Sequence, residues 1–407
     1  MGVVGLQHMF VMFGATVLVP LLTGLDVAVA LFASGLGTLV FHVATRMRVP
    51  VYLGSSFAFI PPILAVAETG TLAQATAGIL VAGLVYVGVS FALRLVSIEA
   101  IQRLIPPHVT GPIIILIGLM LAPVAVENAA GGGNEPMLER IGTLGAWALA
   151  AVTLGTGVFV RVFLPRRGYR YLATLPVLFG LAAGYAAAAL AGVVEWRPVA
   201  DAPWLGVPDF MAPRFDLRAL GVVVPVALVT MIEHLGDVLA IGEVVEEDFI
   251  EDPGLHRTLL GDGLATVLAG LVGAPANTTY SENTGTVALT GIRDPAVMRV
   301  AAAGALLLSF VPKFAALVAS IPLPVVGGIS ILLFGMIAGI GIKSLVDHRV
   351  DLGDPRVLIV VSTMLVLGLG EARVDVGPTE LSGLALAAVV GILGNLVLAP
   401  RRESTKP

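Results

Sequence analysis

The feature that most restricts how this chain can fold is the succession of long apolar stretches along nearly its whole length. Of its 407 residues, 57% are hydrophobic and only 13% are charged, whereas soluble proteins carry about 25% charged residues. A helix of about 20 apolar residues crosses a bilayer, so a chain of this length has room for about 14 crossings and for no large soluble domain. The sequence therefore predicts an all-α, polytopic integral membrane protein.

Polar breaks divide the apolar stretches into fourteen predicted spans. These are residues 5–23, 27–44, 51–66, 72–93, 101–123, 141–163, 172–192, 218–241, 256–273, 277–290, 296–317, 323–342, 356–370 and 381–399. When successive spans alternate in direction, 17 of the 23 Lys and Arg residues fall on one side, and positively charged loops mark the cytoplasmic side. We therefore expect a multi-pass protein of the cytoplasmic (inner) membrane with both termini in the cytoplasm.

Several classes of function are disfavoured by what the sequence lacks. The net charge is −5 and no long basic block occurs, so nucleic acid is not an expected partner. The sequence has no cysteine, no Gly-rich phosphate loop ending in Lys-Ser or Lys-Thr, and no set of residues with the spacing of a metal site. We expect neither an enzyme nor an ATP-driven pump, and we expect no metal and no cofactor.

The two halves of the chain carry related motifs. Gln7-His8 recurs as Glu233-His234 at an offset of 226 residues, and the same offset carries Ser56 onto Glu282. Two halves of seven spans each must have opposite orientations, because seven is an odd number. Such inverted repeats are typical of secondary transporters, in which the substrate site lies near the middle of the membrane where helices are broken.

Two segments at equivalent places in the halves resemble such breaks. Residues 51–62 and 275–285 begin with short polar stretches that suit extended backbone, and then turn helical. If each supplies a short strand that ends at a helix N-terminus, backbone N–H groups and positive helix-dipole ends meet at the membrane centre. That arrangement would bind carbonyl or anionic oxygens. Ordinary helices with packing glycines are the alternative.

Ionisable side chains within spans are costly and are usually functional. Glu233 and Asp237 are four residues apart, so they share one helix face, and Glu282 lies in the second broken segment. Together these carboxylates could accept N–H bonds from a ligand and hold a transferable proton. The alternative is a buried hydrogen-bond cluster that braces the helices. His8 and His234 are weaker candidates, because a single histidine within a span more often hydrogen-bonds a neighbouring helix.

Residues 282–291 match a known family signature, which requires Gln or Glu, Asn, any residue, Gly, four residues, Thr and then Arg, Lys or Gly. The first span and residues 54–59 resemble two further markers of that family. The matching positions are Gln7, His8, Gly54, Glu282, Asn283, Gly285 and Thr290. Gly54 and Gly285 are expected to lie at tight crossings, where a larger side chain would block close approach of the backbone. On these motifs the chain, from about residue 5 to about residue 400, resembles the nucleobase/ascorbate transporters, and within them the bacterial uracil permeases.

This resemblance implies two domains with the substrate held between them. The core domain would comprise residues 1–97 and 216–320, and the gate domain residues 98–195 and 321–400. The residues expected to bind substrate are Glu233, Glu282, Phe57, Ser281, Ser56 and Tyr280, of which Phe57 and Ser281 would use their backbone. The residues expected to carry the coupled proton are Asp237, Glu233 and His234.

The activity implied by the resemblance is import of uracil by proton symport, with the core moving rigidly against the gate. Glu282 resembles the uracil type, because purine and xanthine members usually have Gln at that position. Uracil has two N–H donors and two carbonyl acceptors, which carboxylates and backbone N–H groups can satisfy. A purine or xanthine carrier is the first alternative, and an anion transporter on the same architecture is the second. The expected partners are the nucleobase, membrane lipid and a second copy of the chain, bound through the gate domain.

Three features depart from the family's pattern. Asp237 stands where similar uracil permeases often have His, and Ser281 stands where they often have Gly. The loop 243–252 is acidic, although a basic loop is expected on the cytoplasmic side. Asp237 in place of His bears on the route of the proton, and Ser281 in place of Gly slightly narrows the substrate site. None of the three departures alters the pair of glutamates, Glu233 and Glu282.

Overall fold

The structure is a computed structural model that describes residues 2–95, 103–376 and 379–398, and most of these residues are helical. The α-helices are α1 (Gly2–Thr23), α2 (Val27–Ala44), α3 (Ile60–Thr69), α4 (Leu72–Ala92), α5 (Pro107–Met120), α6 (Ala122–Ala129), α7 (Glu135–Phe163), α8 (Pro176–Leu190), α9 (Arg197–Asp201), α10 (Leu217–Val223), α11 (Val226–Val245), α12 (Leu255–Val272), α13 (Ser281–Thr290), α14 (Ala296–Ser309), α15 (Pro312–Ala319), α16 (Leu323–Asp347), α17 (Pro355–Leu369) and α18 (Gly383–Leu398). The strands are β1 (Leu53–Ser55), β2 (Asn277–Thr279), β3 (Arg373–Val376) and β4 (Thr379–Ser382).

The helical, polytopic architecture predicted from the apolar stretches is confirmed. Among the described residues, seven helices are long and apolar enough to cross a membrane, when α5 is joined with α6 and α10 with α11. A helix, or a strand followed by a helix, lies within each predicted stretch, although residues 101–102 of the fifth lie outside the described residues. The number of fourteen crossings stays a prediction, because several of these stretches contain only short or broken helices.

One predicted span is sharply bent within its length. Residues 296–317 form α14 and part of α15, and these two helices are bent by 89° where they meet. Pro312 begins α15, and a proline disfavours the helical conformation in the residue before it, here Val311. The new direction is held by Lys313, whose ammonium group donates to the carbonyl oxygen of Val199 at 2.9 Å. Apolar composition alone does not reveal such a change of direction.

The two broken segments meet as a two-stranded antiparallel sheet. The predicted strands at the two breaks are confirmed as β1 and β2, and Leu53 is paired with Thr279. These residues are 226 positions apart, the offset that relates the halves of the sequence. Residues related by a two-fold axis face each other where they lie beside that axis, so this register fits the inverted repeat. A second pair of strands, β3 and β4, forms a hairpin that the sequence did not predict.

Side chains of the neighbouring helices satisfy the free edge of the short sheet. Ser34 and Thr38 of α2 donate to the carbonyl oxygen of Leu53 at 2.8 and 3.1 Å, and Thr38 also accepts from the Leu53 amide. On the other strand, the Thr266 hydroxyl of α12 donates to the Asn277 carbonyl oxygen at 3.1 Å. Unpaired backbone groups are very costly inside a membrane. Polar residues in otherwise apolar helices therefore stabilise the break.

The helices pack in two groups. Helices α1, α2, α4, α12 and α14 contact one another, and α13 joins this group through α1. Helices α5, α7, α8, α16, α17 and α18 form the second group. Within the first group α4 and α12 cross closely: a Cβ atom added at Gly83 would lie 2.5 Å from the Val267 nitrogen, and one at Gly270 would lie 2.4 Å from the Leu80 nitrogen. The groups fall within the residue ranges predicted for core and gate, and that domain division remains a proposal.

Candidate functional site

The paired strands end beside a small cavity between the two groups of helices, which we call the central cavity. Its volume is about 60 Å³, and it is lined by Phe57, Ile114, Glu233, Asp237, Thr278, Thr279, Tyr280, Ser281, Glu282, Ile337 and Ile340. Ile114 belongs to α5 and Ile337 and Ile340 to α16, whereas the polar residues come from α11, β2 and the start of α13. The structure thus brings together six of the eight residues expected to bind substrate or to carry the coupled proton, and Ser56 and His234 are not among the described residues that line the cavity.

Two carboxylates give the central cavity its chemical character. Glu233 lies on α11, and its Oε2 atom is buried without a hydrogen-bond partner among the described residues. Glu282 lies in the first turn of α13, where the positive end of the helix dipole favours a negative charge. A buried carboxylate without a donor is costly. Both groups are therefore suited to bind a ligand that brings N–H donors, or to hold a proton.

Asp237 ties its helix to the second broken segment. The hydroxyl groups of Thr279 and Ser281 each donate to this carboxylate at 2.6 Å, one to each oxygen. The Ser281 hydroxyl is therefore engaged by Asp237, which leaves the Ser281 backbone for a substrate. The predicted role of Asp237 in proton transfer stays a prediction, and these hydrogen bonds are of the bracing kind that the sequence analysis left open as the alternative.

A buried histidine, the residue after Glu233 in α11, lies beside a buried aspartate. His234 Nδ1 is 3.0 Å from Asp262 Oδ2, and both side chains are fully buried, although the two groups are not aligned as a hydrogen bond. Asp262 belongs to α12 and was missed in the sequence. The signal was present, because Asp262 is an acid within the predicted span 256–273 and the rule that selected Glu233 applies to it equally.

Tyr280 and Ser56, two predicted site residues of the broken segments, differ in whether they line the central cavity. Tyr280 lines the central cavity, and its hydroxyl donates to the Ser55 carbonyl oxygen at 3.0 Å and lies 3.2 Å from Thr16 Oγ1. Ser56 is fully buried and is not among the described residues that line the cavity. Its backbone N–H donates to the Ala276 carbonyl oxygen at 2.8 Å, so Ser56 extends the strand pairing.

Three of the remaining signature residues, Asn283, His8 and Gln7, join one helix to another part of the fold. The Asn283 amide lies 3.0 Å from His8 Nδ1 and donates to the His8 carbonyl oxygen at 3.2 Å, which fixes α13 against α1. The Gln7 amide donates to Thr174 Oγ1 at 3.0 Å, which joins α1 to the segment before α8. Thr290 donates to a carbonyl oxygen one turn earlier in α13. These contacts give His8 the ordinary role of hydrogen-bonding a neighbouring helix.

The two signature glycines have opposite surroundings. A Cβ atom added at Gly54 would lie 2.5 Å from the Tyr280 ring and 2.6 Å from Thr16 Oγ1, so only glycine fits there without a shift. A Cβ atom added at Gly285 would meet no atom within 4 Å. The expectation that Gly285 lies at a tight helix crossing is therefore wrong. Gly285 faces a second cavity instead.

This second cavity, the Arg161 cavity, has a volume of about 100 Å³ and adjoins the central one. Ser281, Glu282, Ile337 and Ile340 line both cavities. Arg161 comes from the last turn of α7, and the sequence indicated only that it is one of many positive charges near a span end. Its position depends on packing between distant helices, which no local pattern reveals.

The acidic loop 243–252 has partners next to both broken segments. Arg48, just before β1, forms ion pairs with Asp252 and with Glu247, the latter at 3.4 Å. Arg293, just after α13, forms an ion pair with Glu246 at 2.8 Å. The hydrogen bond and the charge of Arg293 lower the pKa of the Glu246 carboxyl. The loop therefore forms ion pairs with the chain just before the first broken segment and just after the second.

Comparison with known sequences identifies close relatives over nearly the full chain. The sequence model of the Permease family (Xan_ur_permease) matches residues 2–377. The uracil permease of Bacillus subtilis is 44% identical over 406 residues, which cover 98% of this chain and 92% of that protein. The probable uracil permease of Haemophilus influenzae is 44% identical over 403 residues, which cover 99% and 95%.

A solved structure with a different sequence shares the fold. The transmembrane domain of the cyanobacterial bicarbonate transporter BicA superposes with a TM-score of 0.65 over 97% of this chain and 96% of that one. The two sequences are only 16% identical. This likeness supports the inverted-repeat architecture and says nothing about what either cavity binds.

Proposed function

This chain belongs to the Permease family, and we propose that it imports uracil across the cytoplasmic membrane by proton symport. The observation that carries the proposal is the meeting of Glu233 and Glu282 in the central cavity, beside the ends of the paired strands. Its relatives named as uracil permeases support the same substrate class. A permease moves its substrate across the membrane without converting it, so we infer no enzyme activity.

The geometry of the central cavity suits a small ring that carries both donors and acceptors. In the proposed complex, the carboxylates of Glu233 and Glu282 accept from the two ring N–H groups of uracil. Backbone N–H groups at Phe57 and Ser281 face the two carbonyl oxygens. All four polar groups of the base are then satisfied, which is what transfer into a dry cavity requires. The apolar wall of Ile114, Ile337 and Ile340 would cover the ring.

The proposed coupling uses acids that share α11. A proton that binds to Glu233, Asp237 or His234 together with uracil would remove charge from the cavity before the core moves against the gate. Asp262 lies beside His234 and provides a further acceptor behind the site. Binding and release of the base would then follow protonation, so the inward proton gradient would drive accumulation.

The remaining parts of the proposal rest on the family and on the sequence. Both termini would lie in the cytoplasm, because 17 of the 23 Lys and Arg residues then face that side. We propose a homodimer formed through the gate domain and no cofactor other than the coupling proton. Membrane lipid would surround the apolar outer faces of the helices.

Uptake of labelled uracil by proteoliposomes tests substrate and coupling together. With an imposed inward proton gradient, the purified protein is expected to accumulate uracil, and a protonophore is expected to abolish accumulation. Competition by excess unlabelled thymine or 5-substituted uracil shows whether the site accepts a substituent on the edge of the ring. Competition by xanthine as strong as by uracil itself would instead indicate a purine-type carrier. Uptake of an inorganic anion without uracil uptake would refute the proposal.

The variant Asp237→Asn separates binding from coupling in the same preparation. It mimics a permanently protonated carboxyl and keeps an oxygen that can accept from Thr279 or Ser281. We expect it to bind uracil and to exchange internal for external uracil while losing gradient-driven accumulation by at least about tenfold, the effect of losing one coupled proton at a tenfold gradient. Accumulation equal to that of the parent would make Asp237 a bracing residue and place the proton on Glu233, Glu282 or a histidine.

A further inference from the structure

The Arg161 cavity brings together one positive and one negative side chain from different groups of helices. Of the described residues that line it, Arg161 and Glu282 are the only charged ones. Arg161 belongs to α7, which packs with α8 and α16, whereas Glu282 belongs to α13, which packs with α1 and α11. Movement of one group against the other must change the distance between the two charges.

Arg161 has no other charge to satisfy it in the described part of the chain. The ion pairs formed there use Arg48, Arg197, Arg293, Arg356, Arg373 and Lys343 as the arginine and lysine partners. The rest of the cavity wall is largely apolar, with Phe10, Val11, Leu333 and Met336 among its residues. Arg161 is exposed and Glu282 is partly buried, and the attraction between two opposite charges in such a largely apolar space grows as water is excluded from it.

The need for a counter-charge arises at one point in the proposed cycle. While uracil is bound, its N–H group satisfies Glu282. Once the base and the proton have left, Glu282 is an ionised carboxylate that shares the central cavity with Glu233 and Asp237, and like charges in one site repel each other. Arg161 is the positively charged side chain that lines a cavity together with Glu282 among the described residues. A contact made only by the empty carrier stabilises that state selectively.

We propose that Arg161 is the counter-ion of Glu282 in the empty carrier, and that it positions this carboxylate during the return of the unloaded protein. The pair would form after release and break when a new substrate or proton engages Glu282. This inference rests on the proposed function, because it assigns a residue to the return step of the same transport cycle. It gives the Arg161 cavity a role without requiring Arg161 to contact the substrate.

Two assays on the same proteoliposomes distinguish the return step from the loaded step. In exchange, uracil is saturating on both sides and the carrier always crosses with substrate, so the empty form is bypassed. In net uptake, the carrier must return empty after each release. We expect Arg161→Gln to keep exchange within about twofold of the parent and to reduce net uptake by about tenfold or more, the scale of one lost charge-assisted contact.

Two further variants make the test specific. Arg161→Lys keeps the charge and is expected to restore most of the net uptake. Arg167→Gln removes a charge from the exposed segment just after α7, outside the Arg161 cavity, and is expected to change neither assay. Intact exchange by Arg161→Gln also demonstrates that the variant is folded.

Other outcomes would overturn the inference. An equal loss of exchange and net uptake by Arg161→Gln would place Arg161 in the loaded carrier or in folding. Unchanged net uptake, or the absence of rescue by Arg161→Lys, would show that its charge is not used. Failure of the proposed function looks different, because the parent protein itself would then show neither exchange nor net uptake of uracil.

Discussion

The two broken segments occupy equivalent places in the inverted repeat, yet they contribute different chemistry. The first places Ser56 beside the sheet and Phe57 in the central cavity, and Phe57 packs edge-on against Phe334 at 5.6 Å. The second places Glu282 at the position equivalent to Ser56. This second segment is braced by the hydrogen bond that the Ser281 hydroxyl donates to the carboxylate of Asp237. Duplication therefore supplies the backbone geometry twice, whereas the acids come from the second half alone.

This difference shows how one architecture serves unrelated substrates. Paired strands and helix starts at the membrane centre follow from the repeat, and the bicarbonate transporter that shares this fold has only 16% identity with the chain. What a cavity recognises depends on a few side chains at fixed backbone positions. In this protein those positions carry the acids Glu233 and Glu282 in the second half and the uncharged polar residues Gln7 and Ser56 in the first.

The largest expected effect comes from neutralising the acids of the second half. Glu282→Gln and Glu233→Gln should each weaken uracil binding by about tenfold to a hundredfold, because a hydrogen bond to a charged group contributes roughly 1.5–3 kcal/mol. Ser56→Ala, the equivalent change in the first half, should keep the parent's Kd within about threefold because Ser56 does not line the cavity. Calorimetry on the purified protein measures all three. An equal loss of affinity in Ser56→Ala and in the two glutamate variants would contradict the different roles of the two halves.

An intermediate effect is expected from the signature glycines. Gly54→Val would drive a side chain into the Tyr280 ring, and overpacking of this kind costs about 1–3 kcal/mol. Gly285→Ala should leave the melting temperature unchanged or raise it, because its added methyl group meets no atom and Ala favours a helix by about 1 kcal/mol over Gly. Thermal unfolding in detergent, followed by binding assays, compares them. A Gly285→Ala protein as unstable as Gly54→Val would refute the assigned surroundings.

The smallest effect concerns the acidic loop 243–252, which forms ion pairs next to both broken segments. Arg293 lowers the pKa of Glu246, so the folded protein favours the ionised carboxylate and this contribution to stability is present at neutral pH. It is lost as the pH falls through the lowered pKa of the folded state. Glu246→Gln should therefore cause a small fall in melting temperature at pH 7 that disappears in acid.

A residue of the same loop provides the control for that measurement. Glu243 is exposed and takes no part in the ion pairs formed among the described residues. Glu243→Gln should leave the melting temperature unchanged at both pH values. A difference between parent and Glu246→Gln that persists in acid would show that the effect does not come from the ion pair with Arg293.

The sequence predicted those features that repeat along the chain or break its apolar pattern. Apolar stretches located the helices, the offset of 226 residues related the halves, and acids within spans pointed to Glu233, Asp237 and Glu282. Asp262 could have been found by the same rule. Arg161 could not, because its partner Glu282 lies more than a hundred residues away and only the packing of the helices brings both to one cavity.

Other features depended on local geometry that composition does not encode. The bend at Pro312 leaves hydropathy nearly unchanged while it redirects the chain by 89°. The β3–β4 hairpin is too short to produce a clear alternating pattern. Gly285 belongs to a sequence signature, yet only the structure shows that it faces open space, because close approach depends on the neighbouring helices and not on the motif itself.

The pairing of β1 with β2 also affects how the protein is made. The ribosome produces residues 53–55 long before residues 277–279, so β1 has no partner while the first spans enter the membrane. Its amide and carbonyl groups depend until then on Ser34, Thr38 or water. Insertion can proceed span by span, but the centre of the fold is completed only when Thr279 has been translated and reaches Leu53. The first half alone is therefore a folding intermediate that awaits its second strand.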